Sequence, residues 1–254
     1  MLVNACYVSN TGRVRRNNED SILVNELLIS EADMERTECV RTEGDRLIYI
    51  VADGMGGHQK GEVASKTVLN IFKEKNDRVV KEQIMDIMRL AKESLNKIAE
   101  IDGQSLGLGT TISGMSLSDV DAFVFNCGDS RVYRLKDREI ERITRDDSVV
   151  QELADAGIIT EDEMRTHPQK NILTSSVIGD LRSDLPTFSV GQLRVKKGEV
   201  FLLCTDGVWE SMSHSNMEDC LSGKDLKETV TRLAEKTIES GARDNFSIIA
   251  LEIG

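Results

Sequence analysis

Apolar residues along the chain follow two rhythms. LIYIVA at 47 to 52 is a continuous run of β-branched, aromatic and aliphatic residues that stops at Asp53 and a cluster of glycines, which predicts a buried strand. Two helical patterns come next. Val63, Val68, Leu69 and Phe72 share a face over 61–75, and Ile84, Ile87, Met88, Ala91, Leu95 and Ile98 recur at helical spacing over 80–101. After Gly109 the runs shorten to TTISGMSL, DAFVFNCG, RVYRL and EIERIT, the last two around turn residues Lys136 and Asp137. A mixed polar and helical stretch spans 145–184. Strands then return at FSVGQLRV and EVFLLCTDG, a helix is predicted over 224–239, and FSIIALEI ends the chain. The segment 31–46 is polar and aperiodic and predicts a surface loop. Strands grouped apart from helices indicate an α+β fold, with helices outside an antiparallel sheet or a pair of sheets.

At 254 residues with two prolines, no linker and no repeat, the chain is expected to form one domain over 1–254. A net charge of −12 argues against a nucleic-acid surface, which needs clustered Lys and Arg. No run approaches the length of a membrane span, and the apolar stretch at the N-terminus is too short for a signal peptide. Cys6, Cys39, Cys127, Cys204 and Cys220 are odd in number and form no CxxC pair. Neither a disulfide framework nor a zinc site is expected, and a reducing, cytoplasmic setting follows.

The turn after the first strand carries the chemistry. IVADGMGGH places one carboxylate and three glycines at a strand terminus. A dinucleotide fingerprint would need glycine at Gln59, and a P-loop would need a Gly-Lys-Ser/Thr ending; both are missing. A cation held by Asp53, with backbone brought close by glycine, fits better. Three other sites share the design: Asp206 after EVFLLCT, Asp129 after VFNCG, and Asp244 just before FSIIALEI, while Glu19 and Asp20 lie near the N-terminus. Converging carboxylates need divalent cations, and all-oxygen donors select Mg²⁺ or Mn²⁺ over zinc. Such a pair of ions suits phosphate-ester hydrolysis.

SNTGRVRRNNED, VADGMGGHQKGEVAS, GLGTT, NCGDSR, TDGVWE and RDNFSII occur in this order from Ser9 to Ile249. Together they resemble the motifs of the metal-dependent serine/threonine protein phosphatases of type 2C, the PPM family. The stretch from Thr144 to Asn171 resembles the flap of the bacterial branch, so 145–184 is expected to lie beside the site. The resemblance implies an α-β-β-α sandwich of two antiparallel sheets flanked by helices. It also implies two Mn²⁺ or Mg²⁺ ions and hydrolysis of phosphoserine and phosphothreonine on proteins, in opposition to a kinase. In that scheme Asp53 bridges the two ions, Glu19 and the Gly54 carbonyl complete one, and Asp206 and Asp244 hold the other. Asp20 contacts a bound water, Arg15 clamps the phosphate, and Asp129 with Asp206 matches a third-ion site.

Two positions depart from the family pattern. Met55 stands where many relatives have a His that is the candidate general acid, which leaves leaving-group protonation unassigned. Glu210 replaces an Asp by a residue one methylene longer. GQSLG at 103–107 matches a nucleophile elbow, but a helix precedes it and a strand follows, the reverse of what that motif requires. Of His58, His167 and His214, only His58 is expected near the site, and Arg16 reads as a solvated charge. A phosphatase for a small phosphorylated metabolite and a non-catalytic, partner-binding relative are the competing functions. The second would be expected to lack a metal carboxylate, whereas Asp53, Asp206 and Asp244 are all present.

Overall fold

The computed structural model describes residues 1–56, 60–75, 81–102, 105–118, 121–136, 139–221 and 225–254. Two six-stranded sheets dominate. The first runs in the order β11 (Glu139–Arg142), β10 (Arg131–Lys136), β14 (Val200–Cys204), β15 (Phe246–Ile253), β1 (Leu2–Asn10) and β4 (Glu38–Glu43). The second runs β13 (Ser189–Arg194), β9 (Asp121–Cys127), β8 (Ile112–Ser118), β5 (Arg46–Ala52), β2 (Ser21–Val24) and β3 (Leu27–Ser30). Every neighbouring pair is antiparallel. A short sheet of β12 (Val177–Ile178), β7 (Gly109–Thr110) and β6 (Gly54–Met55) joins the second flank to the turn after β5.

The period-two side-chain rule explains why the central strands read as unbroken apolar runs. In β5, Leu47, Tyr49 and Val51 point into the layer between the sheets, where they meet Val3 and Ala5 of β1, Phe201 and Leu203 of β14, and Ile249 and Leu251 of β15. Ile48, Ile50 and Ala52 point the other way, onto Val68, Leu69 and Phe72 of α1 (Gly61–Glu74) and Ile84 and Leu95 of α2 (Lys81–Ile101). The outer face of the first sheet is covered by α5 (Asp206–Trp209), α6 (His214–Leu221) and α7 (Leu226–Glu239), through Trp209, Met217, Val230 and Leu233 against Cys204, Ile248 and Ala250. The result is an α+β fold, an α-β-β-α sandwich. Each fully buried aliphatic or aromatic side chain in it contributes about 1.5–3 kcal/mol of transfer free energy.

The flanking helices follow the expected periodicity. Val80, Lys224 and Asp137, which belong to the predicted helices and hairpin turn, lie outside the described residues, as do Gly103 and Gln104 of GQSLG. Asp225 caps α7 by accepting the Lys227 amide at 2.9 Å. In the 145–184 segment, α3 (Val149–Asp155) and α4 (Glu161–Met164) form, the latter behind a capping box of Thr160 and Glu163.

Two expectations fail. The segment 31–46 is not only loop: Glu38–Glu43 is β4, an edge strand paired with Leu2–Tyr7 of β1. Its side chains are mostly exposed, so ladder hydrogen bonds hold it and no apolar alternation marks it; its charges suit an open edge. Cysteine pairing also differs, because Cys6 and Cys39 face each other in the β1–β4 register, with Cα atoms 4.1 Å apart, and form a disulfide. They are 33 residues apart in sequence, and only that register brings them together. Cys127, Cys204 and Cys220 are buried free thiols.

The closed loop makes a stability prediction. Cys39→Ser should lower the unfolding free energy by about 2–4 kcal/mol relative to the oxidised protein. Denaturant unfolding with and without reductant checks this: reductant should destabilise the wild type and leave the variant unmoved.

Candidate active site

Strand ends from both sheets converge at one end of the sandwich. Ser21 opens β2 opposite Ala52, the last residue of β5, so Asp20 and Asp53 leave the sheet side by side. Cys204 closes β14 opposite Ile248 of β15, which brings Asp206 and Asp244 to the same end of the other sheet. Cys127 closes β9 opposite Ile112, and the chain crosses through Asp129 to Arg131, which pairs with Cys204. A cavity of about 480 Å³ opens there. Arg15, Glu19, Asp53, Gly54, Asp129, Asp206 and Asp244 line it, together with Met55, Thr111 and, from the 145–184 segment, Asn171, Ile172 and Leu173.

Backbone contacts aim these side chains. The Asp53 amide donates to Thr111 Oγ1 at 3.0 Å, and its carbonyl accepts from the Thr111 amide and Thr110 Oγ1, both at 2.9 Å. Gly54 is closely packed against backbone. Its amide donates to the Glu19 carbonyl, and a Cβ there would sit 2.2 Å from the Gly61 carbonyl oxygen and 2.4 Å from that of Glu19. Gly207 is similar, since a Cβ would fall 2.0 Å from the Asn245 carbonyl oxygen. Asn245 itself, passed over in the sequence although it follows Asp244, staples the N-terminal loop. Its Nδ2 donates to the carbonyls of Thr11 and Asn17, and its Oδ1 accepts the Glu19 amide at 2.8 Å.

Crowding of like charge shows in the titration of these groups. Burial, then Asp206, Asp20, Asp129 and Asp244, push the Asp53 carboxyl well above the usual range. Burial and Asp206 do the same to Asp129, which Arg131 partly offsets. Burial and Asp244 raise Asp206. Asp20, behind the cavity wall, is pushed by burial up to about 8, although Oδ2 accepts from the Ser247 and Thr205 hydroxyls at 2.8 Å each. Glu19 is raised by burial and by Glu62. Arg15 donates Nη2 to Asp244 Oδ2 at 2.7 Å; burial opposes its charge, and Asp244, Glu19 and Asp53 outweigh that and raise it. Glu210 is raised by burial and by Asp206 to about 7, and it pairs with Lys170 of the 145–184 segment.

The donor set fits hard divalent cations. It is all oxygen, and Asp20 Oδ1, Asp206 Oδ1 and Glu210 Oε1 are buried with no hydrogen-bond donor facing them. Among the described residues, no three such side chains are already closed up enough to hold an ion. Drawing like-charged oxygens into one ligand set takes the cation itself. His58 lies outside the described residues. His167 Nδ1 accepts the Gln169 amide and His214 lies beside Glu218 on α6; neither lines the cavity. Arg16 is exposed.

The model of the protein phosphatase 2C family matches residues 35–245. The chain belongs to this family. Among related proteins, this phosphatase 2C chain is 30% identical over 249 residues to the serine/threonine protein phosphatase PstP of Mycobacterium tuberculosis. That match covers 96% of the chain but only 44% of PstP's length. It is also 30% identical over 259 residues to the serine/threonine phosphatase stp of Listeria welshimeri, covering 98% of this chain and 96% of stp. In structure it superimposes on the PstP catalytic domain in complex with two manganese ions with a TM-score of 0.80, at 27% identity and with both chains fully covered.

The raised carboxyls of this phosphatase 2C chain make a pH prediction. A carboxyl raised in the folded state contributes stability that is present in full below its unfolded value of 3.8 and is lost as pH rises through its folded value, about 8 for Asp20. In chelator, the melting temperature should therefore fall between about pH 5 and about pH 8, where ordinary carboxylates no longer titrate. Asp20→Asn should flatten that slope, as followed by calorimetry.

Proposed function

We propose that this chain hydrolyses phosphoserine and phosphothreonine on proteins with the help of two Mn²⁺ or Mg²⁺ ions. The observation that carries the reading is the convergence of Glu19, Asp53, Asp206 and Asp244 with Arg15 around one open cavity. Residues 1–254 act as one catalytic domain, with 145–184 as its flap. Glu19, Asp53 and the Gly54 carbonyl would hold one ion, and Asp53, Asp206 and Asp244 the other. Asp129 and Asp206 would take a third. When bound, the ions supply Lewis acidity toward the phosphoryl oxygens and the attacking water.

The chain's own groups do the rest. Arg15, half-exposed at the cavity rim, offers its planar fork to the phosphate oxygens, which positions the ester and offsets its charge. Asp20 keeps Oδ2 tied to two hydroxyls and leaves Oδ1 to accept a hydrogen bond from water at the site. Met55 lines the cavity with a side chain that cannot donate a proton to the leaving alkoxide. The open cavity suits a peptide segment, and the proteins that supply such phosphoesters are substrates of serine/threonine kinases in the cytoplasm. The Cys6–Cys39 disulfide pulls against a reducing compartment. Thiol trapping in intact cells tests that part of the reading. No helix among the described residues is long and apolar enough to cross a membrane.

Phosphate release from a phosphothreonine peptide should require Mn²⁺ or Mg²⁺ and stop in excess chelator; full turnover after exhaustive chelation would overturn the mechanism. Asp53→Asn should abolish most turnover while the protein stays folded, with weaker Mn²⁺ binding by calorimetry. Arg15→Ala should cost about 1.5–3 kcal/mol of phosphate binding. That loss should appear as a rise in KM larger than the fall in kcat, measured with the same peptide.

A further inference from the structure

Behind Asp129 lies a buried assembly that the proposed chemistry does not use. Trp209 is the single tryptophan of the chain and is 3% exposed. It closes α5, the one-turn helix that begins with Asp206. Its indole Nε1 donates to the main-chain carbonyl of Asp129 at 2.9 Å, a fully buried hydrogen bond between elements 80 residues apart. On the ring face sits Arg131, whose guanidinium carbon is 3.5 Å from the ring centroid. Arg131 also gives Asp146 a forked contact, Nε at 3.0 Å and Nη2 at 2.6 Å, and donates Nη1 to the Tyr133 hydroxyl at 3.1 Å.

This arrangement joins both ends of one carboxylate pair. Asp206 and Trp209 travel together on α5, while Asp129 and Arg131 travel together on the β9–β10 crossing. The indole hydrogen bond and the stacked guanidinium lock those two units to each other. The lock extends to the flap root. Asp147 accepts the Gly128 amide through Oδ2 at 3.0 Å and returns its own amide to the Gly128 carbonyl at 2.8 Å, and Asn126 Nδ2 donates to the Arg145 carbonyl. Asp129 has no side-chain hydrogen bond among those described, so its carboxylate is aimed by its backbone alone. The carbonyl that Trp209 holds is part of that backbone.

We infer that Trp209 is a positioning residue that sets the spacing of Asp129 and Asp206, and with it the affinity of the weak divalent-cation site those two carboxylates form. The inference rests on the third-ion role proposed for Asp129. Trp209→Phe is the direct probe, because it retains an aromatic face for Arg131 and removes only the donor to the Asp129 carbonyl. Losing one such hydrogen bond corresponds to about a fivefold change in an equilibrium constant. The half-saturating Mn²⁺ for kcat should rise by about that factor, while calorimetry shows the tight Mn²⁺ sites unchanged. Adding Trp209→Phe to Asp129→Asn should cause no further loss, since both act on one site.

The lone indole also reports directly on the protein without substrate. In ¹⁵N-labelled wild type titrated with diamagnetic Mg²⁺, the indole N–H resonance should move in the weak phase of binding, and that movement should vanish in Asp129→Asn. Trp209→Phe with wild-type Mn²⁺ dependence, or with lower kcat and stability but unaltered Mn²⁺ dependence, overturns the inference if Asp129→Asn is impaired. An Asp129→Asn variant with wild-type Mn²⁺ dependence overturns the third-ion role and the inference with it. Should Trp209→Phe fold too poorly to assay, an indole resonance that stays still through the weak phase overturns the inference.

Discussion

Repulsion among the carboxylates gathered at one end of the sandwich is the constraint that the surrounding structure answers. Asp20, Asp53, Asp129 and Asp206 are all raised, with burial as the first cause in each case and the charge of a neighbouring carboxylate at this end among the rest, Asp244 in the case of Asp206. A flexible chain would relieve such crowding by moving apart. Here the carboxylates extend from strands whose side chains fill the layer between two sheets, and that layer is too well packed to give way. The apolar core therefore does electrostatic work, because dispersion and burial hold acidic groups at spacings they would not choose.

Around that core the molecule answers the charge in several ways. Hydroxyls of Ser247 and Thr205 solvate Asp20 from inside the protein. Arg15 comes from the cavity rim to Asp244, and Lys170 comes from the 145–184 segment to Glu210. Arg131 stands behind Asp129 but is itself matched by Asp146, so it offsets the local negative charge only in part and serves more as a joint between α5, the β9–β10 crossing and the start of the 145–184 segment. Close backbone contacts at Gly54 and Gly207 complete the frame, and neither position has room for a side chain.

Much of this was legible along the chain. LIYIVA, VFLLC and FSIIALEI stand out because a strand covered on both faces has no polar side to interrupt it. Asp53, Asp206 and Asp244 stand out because they adjoin those runs. The strands that were passed over lack that contrast. β4 reads ECVRTE, an exposed edge whose stability comes from main-chain ladder bonds, and those are the same for every sequence. β1 mixes Asn4 and Ser9 with apolar residues, because the polar side chains meet partners from distant segments, Glu252 for Asn4 and Ser247 for Ser9. Asn245 was passed over because its partners, Thr11, Asn17 and Glu19, are supplied only by the fold.

What the sequence by itself determined is local: where strands end, which residues have β or helical periodicity, which termini carry an acid, and where glycine lets backbone approach. These follow from side-chain volume, polarity and φ/ψ freedom, properties each short segment carries with it. Only the tertiary structure decided which strand ends share a corner, that Cys6 faces Cys39, and that Trp209 reaches the Asp129 carbonyl. Each of these depends on register between strands far apart in sequence, and register is set by the summed packing of many side chains, with no mark in any one segment.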